Sequence, residues 1–215
     1  MCRWTRLCCR WVPPGRFHTD MNRTMIGVLA GVILVAGLVG LALSPHKSAT
    51  GSVSDVTIGG PFALIDGHGK AVTDRDFRGR FMLIYFGYTH CPDACPTTLN
   101  DIASAIDKLP TDARRRVVPL FITVDPERDI PSMIGDYANA FGSEFVGLTG
   151  SPGAIAAAEN EYHVYAQKHP LAHGDYAMDH SSIMYVMGPD GGFLGVIADG
   201  TKPGEIAQRL IAFGV

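Results

Sequence analysis

A fully apolar run leads directly into a pair of cysteines. Residues Phe81–Phe86 are followed within five positions by Cys91-Pro92-Asp93-Ala94-Cys95. The run is typical of a central parallel strand that helices cover on both faces. After the cysteines, residues 97–109 have the apolar spacing of an amphipathic helix. The sequence therefore predicts a strand, a cysteine-bearing turn and a helix in immediate succession.

The two cysteines, four positions apart at a helix start, are predicted to lie on one face about one turn apart. Two such sulfurs can bind one metal ion or form a disulfide. Because a helix N-terminus favours negative charge, we expect thiolates to form more easily there than in a free cysteine. A structural disulfide is the alternative, but a bridge over four residues closes almost no loop and stabilises little. The pair is therefore predicted to bind a metal or exchange electrons.

The remaining pattern favours an α/β fold. A second apolar strand is predicted at residues 117–124, and the helix between the two strands makes a right-handed βαβ unit. Residues 61–72 predict a hairpin around a glycine turn. Residues 164–179 have no clear periodicity and are predicted to be a surface loop. Further helices are predicted at 130–141, 152–162 and 203–213, and a second hairpin at 182–187 and 193–197. This order predicts a thioredoxin-like domain with a central mixed sheet flanked by helices.

The N-terminal part of the chain predicts a membrane anchor. Residues 25–43 are 19 positions without a charge, which at about 1.5 Å per residue approaches the ~30 Å hydrocarbon core. Residues 1–24 carry five arginines and one aspartate, so the positive-inside rule predicts a cytoplasmic N-terminus and an exported domain. The predicted organisation is a cytoplasmic segment 1–24, a single transmembrane helix 25–43, a tether 44–57 and the thioredoxin-like domain 58–215.

Three alternatives apply to the N-terminal part of the chain. The apolar run is also compatible with a cleaved signal peptide. Residues 1–20 are also compatible with an over-extended start and, given their arginine-rich and acid-poor composition, with a mitochondrial presequence. We expect a bacterial inner-membrane protein whose domain faces the periplasm, with the mitochondrial inner membrane and intermembrane space as the alternative. From residue 44 onward the chain has 13 basic and 20 acidic residues, which argues against a nucleic-acid partner.

A histidine completes the candidate site. His180 lies two residues before the strand predicted at 182–187, and in a thioredoxin-like fold the loop entering that strand lies beside the cysteines. Three stretches then stand in order along the chain: FGYTHCPDACP (Phe86–Pro96), DPERD (Asp125–Asp129) and DHS (Asp179–Ser181). Together they resemble the three signatures of the Sco/SenC family of copper chaperones. The resemblance runs from about residue 56 to the C-terminus.

The resemblance implies a membrane-anchored, thioredoxin-like protein that serves assembly of the dinuclear copper centre of cytochrome c oxidase. It implies copper ligation by Cys91, Cys95 and His180. The residue types agree, because two thiolates suit Cu(I) and an imidazole suits Cu(I) or Cu(II), whereas zinc would usually need a fourth ligand. The implied partners are the copper-bearing subunit of the oxidase and an upstream periplasmic copper donor.

Other polar residues near the signatures have two interpretations. The stretch Asp125–Asp129 either forms a turn that caps the following helix or, as the resemblance implies, places Asp125 near the copper as a supporting or partner-contact residue. Asp93 either caps the helix or shapes a docking surface. His90 is not expected to bind the metal, because adjacent side chains on a turn point apart. Solvent exposure accounts for the three remaining nearby histidines, His163, His169 and His173.

The alternative function is a thiol–disulfide oxidoreductase that reduces the cysteines of the acceptor copper site. Such enzymes usually contain Trp-Cys-x-x-Cys and a cis-proline before the later strand. This chain has Cys-x-x-x-Cys, Tyr88 in place of the tryptophan, and His180-Ser181 where the proline is expected. A histidine there replaces a peptide-docking element with a metal donor. We therefore expect a metallochaperone rather than an enzyme, with reductase activity as the alternative.

Overall fold

A computed structural model of the protein describes residues 57–215. The predicted cytoplasmic segment and transmembrane helix, and the tether as far as residue 56, lie outside the described residues. Within residues 57–215, each helix falls short of the length and apolar character that crossing a membrane requires.

The described residues form nine strands, five α-helices and two short 3₁₀ helices, Asp74–Phe77 and Ala172–Gly174. The strands are β1 (Ala63–Asp66), β2 (Ala71–Thr73), β3 (Phe81–Gly87), β4 (Val117–Thr123), β5 (Val146–Thr149), β6 (Ala166–Pro170), β7 (Tyr176–His180), β8 (Ile183–Met187) and β9 (Phe193–Ala198). The helices are α1 (Ala94–Asp107), α2 (Thr111–Arg114), α3 (Pro131–Asn139), α4 (Pro152–Tyr162) and α5 (Pro203–Ala212).

Seven strands form one mixed sheet in the order β2-β1-β5-β4-β3-β8-β9. Strands β3, β4 and β5 are parallel, while β1, β8 and β9 pair antiparallel to their neighbours. Every residue of β3 and β4 is buried, as expected for strands covered on both faces. The predicted α/β fold, with a mixed sheet flanked by helices, is confirmed.

Helix α1 connects β3 to β4 and supplies one covering layer of the sheet. Its buried residues recur at helical spacing on one face, which explains why this segment forms an amphipathic helix. Leu99 and Ile102 are both almost completely buried, and burial of each such side chain stabilises the fold by about 1.5–3 kcal/mol. Helix α1 packs beside α5.

The sheet order brings three chain segments together at one end. Parallel β3 and β4 finish there, at Gly87 and Thr123, and antiparallel β8 begins there, at Ile183. The segments that adjoin these strand ends carry the cysteines, the Asp125–Asp129 stretch and His180. The three sequence signatures are therefore neighbours because of the pairing of β3 with β4 and with β8.

Two predicted elements differ from the structure. Helix α1 begins at Ala94 rather than residue 97, so Cys95 lies within its first turn and Cys91 lies before it. The prediction of a surface loop over residues 164–179 is wrong, because β6 and β7 pair there as a separate antiparallel hairpin. Most of β6 is exposed, so the alternation of buried apolar residues that identifies a strand is absent.

Glu159 on α4 provides a test of this packing. The Glu159 carboxyl is half-buried, and burial raises its pKa to about 7 from an ordinary value of 4.5. The folded protein therefore holds this proton more tightly than the unfolded chain, and the free energy of unfolding should fall as pH rises from about 4.5 to 7. We expect Glu159→Gln to be more stable than wild type at pH 8, with a smaller difference at pH 5, by thermal unfolding.

The matched control for Glu159 is Glu161→Gln, because Glu161 lies on the same helix and is exposed. This variant should show little difference from wild type at either pH. An equal gain in stability at pH 5 and pH 8 in Glu159→Gln would contradict the assignment.

Candidate metal centre

The two cysteines occupy different environments at the start of α1. Cys91 lies in the turn after β3 and is half-buried, whereas Cys95 is completely buried, and both are free thiols. The Cys91 sulfur accepts a hydrogen bond from the backbone N–H of Cys95 at 3.3 Å. This sulfur therefore satisfies one of the amides that a helix start leaves without an intrahelical partner.

Asp93 occupies the N-cap position of α1, but its side chain makes no capping hydrogen bond. Asp93 therefore lies at the predicted cap position without the side-chain hydrogen bond that stabilises a capped helix. Its side chain is exposed between the two cysteines, and the interpretation of Asp93 as part of a docking surface stays a prediction.

His180, the last residue of β7, faces Cys95. Its Nε2 atom lies 3.5 Å from the Cys95 sulfur, and its Nδ1 atom lies 3.1 Å from the backbone carbonyl of Ser181. Because a carbonyl only accepts hydrogen bonds, this contact assigns the ring proton to Nδ1. The Nε2 lone pair is then directed at the sulfur, which is the tautomer that a histidine metal ligand needs.

Burial affects the protonation of both residues. Burial lowers the pKa of His180 below its ordinary value, which favours the neutral imidazole. Burial also raises the pKa of the Cys95 thiol to about 12. The expectation of easier thiolate formation is therefore not met at Cys95, where loss of solvation outweighs the helix N-terminus. A metal ion that binds this sulfur must displace its proton.

Aromatic rings enclose the histidine. Tyr85 and Tyr88 each place a ring edge-to-face with His180, at centroid separations of 5.9 and 6.0 Å. Edge-to-face contacts of this kind stabilise by about 0.5–1.5 kcal/mol each beyond the area they bury. The rings therefore hold the imidazole plane while leaving Nε2 free to face the cysteine.

Gly87, the last residue of β3, makes room for the buried sulfur. A Cβ atom at this position would lie 2.9 Å from the Cys95 sulfur and 2.8 Å from the Phe121 ring. Both distances are too short for carbon, so any larger residue would displace the thiol. The glycine in the first signature is thus explained by packing against Cys95.

A buried carboxylate fixes the turn before Cys91. Asp129 is completely buried and accepts hydrogen bonds from the Thr89 amide at 3.0 Å, the Thr89 hydroxyl at 2.5 Å and the Thr123 hydroxyl at 2.6 Å. The Thr149 hydroxyl donates to its backbone carbonyl. Sequence reasoning assigned no role to Asp129, because nothing in one sequence shows that positions 40 apart are in contact.

Asp125 connects the turn after β4 to the hairpin that carries His180. Its buried carboxylate accepts hydrogen bonds from Arg128 Nε at 2.5 Å and from the Tyr176 hydroxyl at 2.9 Å. The Arg128 guanidinium lies 3.7 Å from the Tyr176 ring centroid, and the Lys168 ammonium lies 4.2 Å from it on the same hairpin. We call Asp125, Arg128 and Tyr176 the hairpin latch.

The stretch Asp125–Asp129 forms the predicted turn, in which the amides of Arg128 and Asp129 donate to the Asp125 carbonyl, but it does not cap the next helix through a side chain. Helix α3 has Ile130 at its N-cap, without a side-chain capping bond. The alternative interpretation, that Asp125 supports the metal ligands, agrees with its hydrogen bond to Tyr176, four residues before His180.

The other histidines have partners or positions outside the site. His90 contacts the Thr89 hydroxyl at 3.1 Å, and its Nδ1 lies 3.8 Å from Asp129. His169 pairs with Asp179 at 2.7 Å across the hairpin. His163 caps α4 in a left-handed conformation, and His173 is exposed in the 3₁₀ turn.

The candidate site thus consists of two free thiols and a neutral imidazole. Within residues 57–215, no three His, Cys, Asp or Glu side chains already surround one point as metal ligands do, so ligation requires these side chains to close further. The donor set still fits a soft monovalent ion, because two sulfurs and one imidazole nitrogen match the preference of Cu(I).

Comparison with known proteins agrees with this geometry. Residues 51–213 match the SCO1/SenC protein family. The mitochondrial Protein SCO1 homolog 1 of Arabidopsis thaliana is 44% identical over 143 residues, which cover 66% of this chain and 43% of that protein. The chain therefore spans less than half the length of this curated relative.

Solved structures share the fold over most of the described residues. The copper-bound structure of Bradyrhizobium japonicum ScoI has 44% identity and a TM-score of 0.67, and the match covers 73% of this chain and 99% of that one. BsSco, described as a member of the Sco family of cytochrome c oxidase assembly proteins with a disulfide switch, has 25% identity and a TM-score of 0.57 over 73% and 93%. By its sequence match and its fold, the chain belongs to the SCO1/SenC family.

Proposed function

We propose that this protein binds one copper ion through Cys91, Cys95 and His180 and delivers it to the dinuclear copper centre of a cytochrome c oxidase. The observation that carries the proposal is the 3.5 Å approach of His180 Nε2 to the Cys95 sulfur, with the ring proton on Nδ1. At this contact the Cys95 thiol faces the lone pair of a neutral imidazole, so a sulfur and a nitrogen donor are already directed at each other.

The donor chemistry supports copper as cargo rather than as a permanent cofactor. Two thiolates and one imidazole supply three ligands, and a three-coordinate ion keeps an open side from which another protein's ligands can take it. Tight but exchangeable binding is what delivery requires. Copper bound to ScoI of Bradyrhizobium japonicum, and the description of BsSco as belonging to a family of oxidase assembly proteins, support the same assignment.

A second function uses the same cysteines. Cys91 and Cys95 are free thiols, and Cys91 is partly accessible, so the pair can reduce a disulfide in the acceptor copper site. BsSco is described as containing a disulfide switch. In this alternative two electrons pass from the Cys91–Cys95 dithiol to the acceptor disulfide, which leaves a Cys91–Cys95 disulfide and a reduced acceptor.

Substitutions at His180 and Cys91 separate the two functions. His180→Ala removes one copper donor but no thiol, so we expect weaker Cu(I) binding with an unchanged ability to oxidise and reduce the cysteine pair. Cys91→Ser should abolish both. Cu(I) affinity by competition with a chromophoric chelator, and oxidase activity in cells at low and high copper, measure these effects.

Delivery of copper predicts loss of oxidase activity in His180→Ala at low copper, with partial recovery at high copper. Normal activity of His180→Ala at low copper, together with loss in Cys91→Ser, would leave only the reductase function. Stoichiometric Cu(I) binding by Cys91→Ser would show that the ligand assignment is wrong.

The hairpin latch offers a second test of the copper site. Tyr176→Phe removes the hydrogen bond to Asp125 but keeps the ring under Arg128. Because one hydrogen bond to a charged group stabilises by about 1.5–3 kcal/mol, we expect looser placement of His180 and about tenfold weaker Cu(I) binding. Tyr165→Phe is the control, since its hydroxyl donates to the nearby Gln167 on the hairpin rather than to Asp125. Equal Cu(I) affinities for the two variants would contradict this role.

We also propose that residues 25–43 anchor the protein in the membrane with the copper domain on the exported side. The uncharged run and the arginines before it support this topology. Protease added to sealed spheroplasts should then digest the domain. If the domain is protected until the membrane is broken, the proposed orientation is wrong. If the mature protein starts near Pro45, residues 25–43 belong to a cleaved signal peptide rather than to an anchor.

A further inference from the structure

Tyr85 lies beneath the candidate metal centre with an unused hydrogen-bond donor. Its side chain is 0% exposed. Among residues 57–215 its hydroxyl finds no hydrogen-bond partner. A buried hydroxyl without a partner destabilises a protein, so the position of this group is unfavourable for the fold as it stands. Phenylalanine would fill the same space without that penalty.

The Tyr85 ring adjoins two of the three proposed copper ligands. Strand residues two apart project to the same face, so Tyr85 and Gly87 both face the layer that contains Cys95. A Cβ atom added to Gly87 would lie 2.9 Å from the Cys95 sulfur and 3.3 Å from the Tyr85 ring, so the ring and the sulfur flank the same position. The same ring meets the His180 ring edge-on at 5.9 Å. The Tyr85 ring therefore lies next to both Cys95 and His180.

The polar neighbours of the hydroxyl are few. The Cys95 sulfur and the Thr98 hydroxyl are close neighbours of the Tyr85 hydroxyl, but neither contact meets both the distance and the angle of a hydrogen bond. Thr98 has other acceptors for its own proton, the Ala94 carbonyl at 2.9 Å and the Asp199 carboxylate. The Tyr85 hydroxyl therefore carries a proton for which residues 57–215 offer no hydrogen-bond acceptor.

The acceptor strength of the Cys95 sulfur depends on what it binds. A thiol sulfur is a weak acceptor, whereas a metal-bound cysteine is a thiolate, and hydrogen bonds to charged acceptors are about twice as strong as neutral ones. As copper binds, the thiol proton leaves to the solvent and the sulfur becomes an acceptor beside an unused donor. The Tyr85 hydroxyl, which has no acceptor in the metal-free protein, thus gains one when the Cys95 sulfur binds copper.

We propose that Tyr85 is a positioning residue whose hydroxyl donates a hydrogen bond to the Cys95 sulfur when that sulfur binds copper. This inference rests on the proposed function. The bond stabilises the loaded protein relative to the unloaded one, and it withdraws electron density from the sulfur. Hydrogen bonds around a copper-bound cysteine sulfur are known to tune the properties of the metal.

Tyr85→Phe tests the inference, because copper affinity and fold stability should move in opposite directions. We expect Cu(I) affinity to fall about ten- to hundredfold, from loss of one charge-assisted hydrogen bond. The melting temperature of the metal-free protein should be unchanged or higher, because an unpartnered hydroxyl has been removed. With Cu(II), the sulfur-to-copper charge-transfer band should move to longer wavelength, because the sulfur regains electron density.

Two other tyrosines serve as matched controls. Tyr162→Phe removes a buried hydroxyl on α4, where the ring packs against Phe86 and Tyr185, and it should leave the band and the Cu(I) affinity unchanged. Tyr137→Phe removes the other buried tyrosine hydroxyl without a partner in residues 57–215. A band shift in Tyr137→Phe but not in Tyr85→Phe would assign the hydrogen bond to Tyr137 and overturn the proposal.

The outcomes separate this inference from the proposed function. A wild-type protein that binds no Cu(I) would refute the proposed function itself. Wild-type binding, with the same affinity and the same charge-transfer band in Tyr85→Phe, would refute only the role of Tyr85. A parallel fall in stability and affinity, without a band shift, would show that Tyr85 acts only through packing.

Discussion

The contact between the Cys95 sulfur and His180 Nε2 joins parts of the chain that are 85 positions apart. It exists because β8 pairs with β3, which brings His180, three residues before the start of β8, to the end of the sheet where α1 starts. The His180 ring is oriented by the Ser181 carbonyl and enclosed by two tyrosines, and the Cys95 sulfur fits against a glycine. The arrangement of the candidate metal centre is thus determined by strand order, and the surrounding residues adjust its geometry.

Fixing these groups has an energetic cost that the surrounding polar network offsets. The site contains a buried thiol, a partly buried imidazole and two buried carboxylates, Asp125 and Asp129. Buried charges are unfavourable unless paired or hydrogen-bonded, and each carboxylate here has at least two donors. Asp129 holds the turn that precedes Cys91, while Asp125 holds the hairpin that ends at His180. The two carboxylates therefore stabilise opposite sides of the same site.

The sequence predicted the elements of the fold better than the surroundings of the site. The apolar run 81–86 and the strand near 117–124 identified the central βαβ unit, because residues buried on both faces leave an unmistakable pattern. The β6–β7 hairpin was missed, since it is held by polar contacts such as Tyr176 with Asp125, which leave no periodic signal. The Asp129 hydrogen bonds, the absent cap at Asp93 and the raised pKa of Cys95 depend on contacts and burial that a single sequence does not encode.

The two cysteines differ in accessibility, which would set an order of ligand exchange in the proposed copper delivery. Cys91 is partly accessible, while Cys95, in the first turn of α1, is completely buried. If the protein delivers copper as proposed, an incoming thiolate from an acceptor would replace Cys91 first, while Cys95 and His180 still hold the ion. Copper would then pass through a species shared by both proteins without release as a free ion. The rate of such a transfer would depend on how well the acceptor reaches Cys91, whereas the affinity of the site would limit only how much copper is transferred.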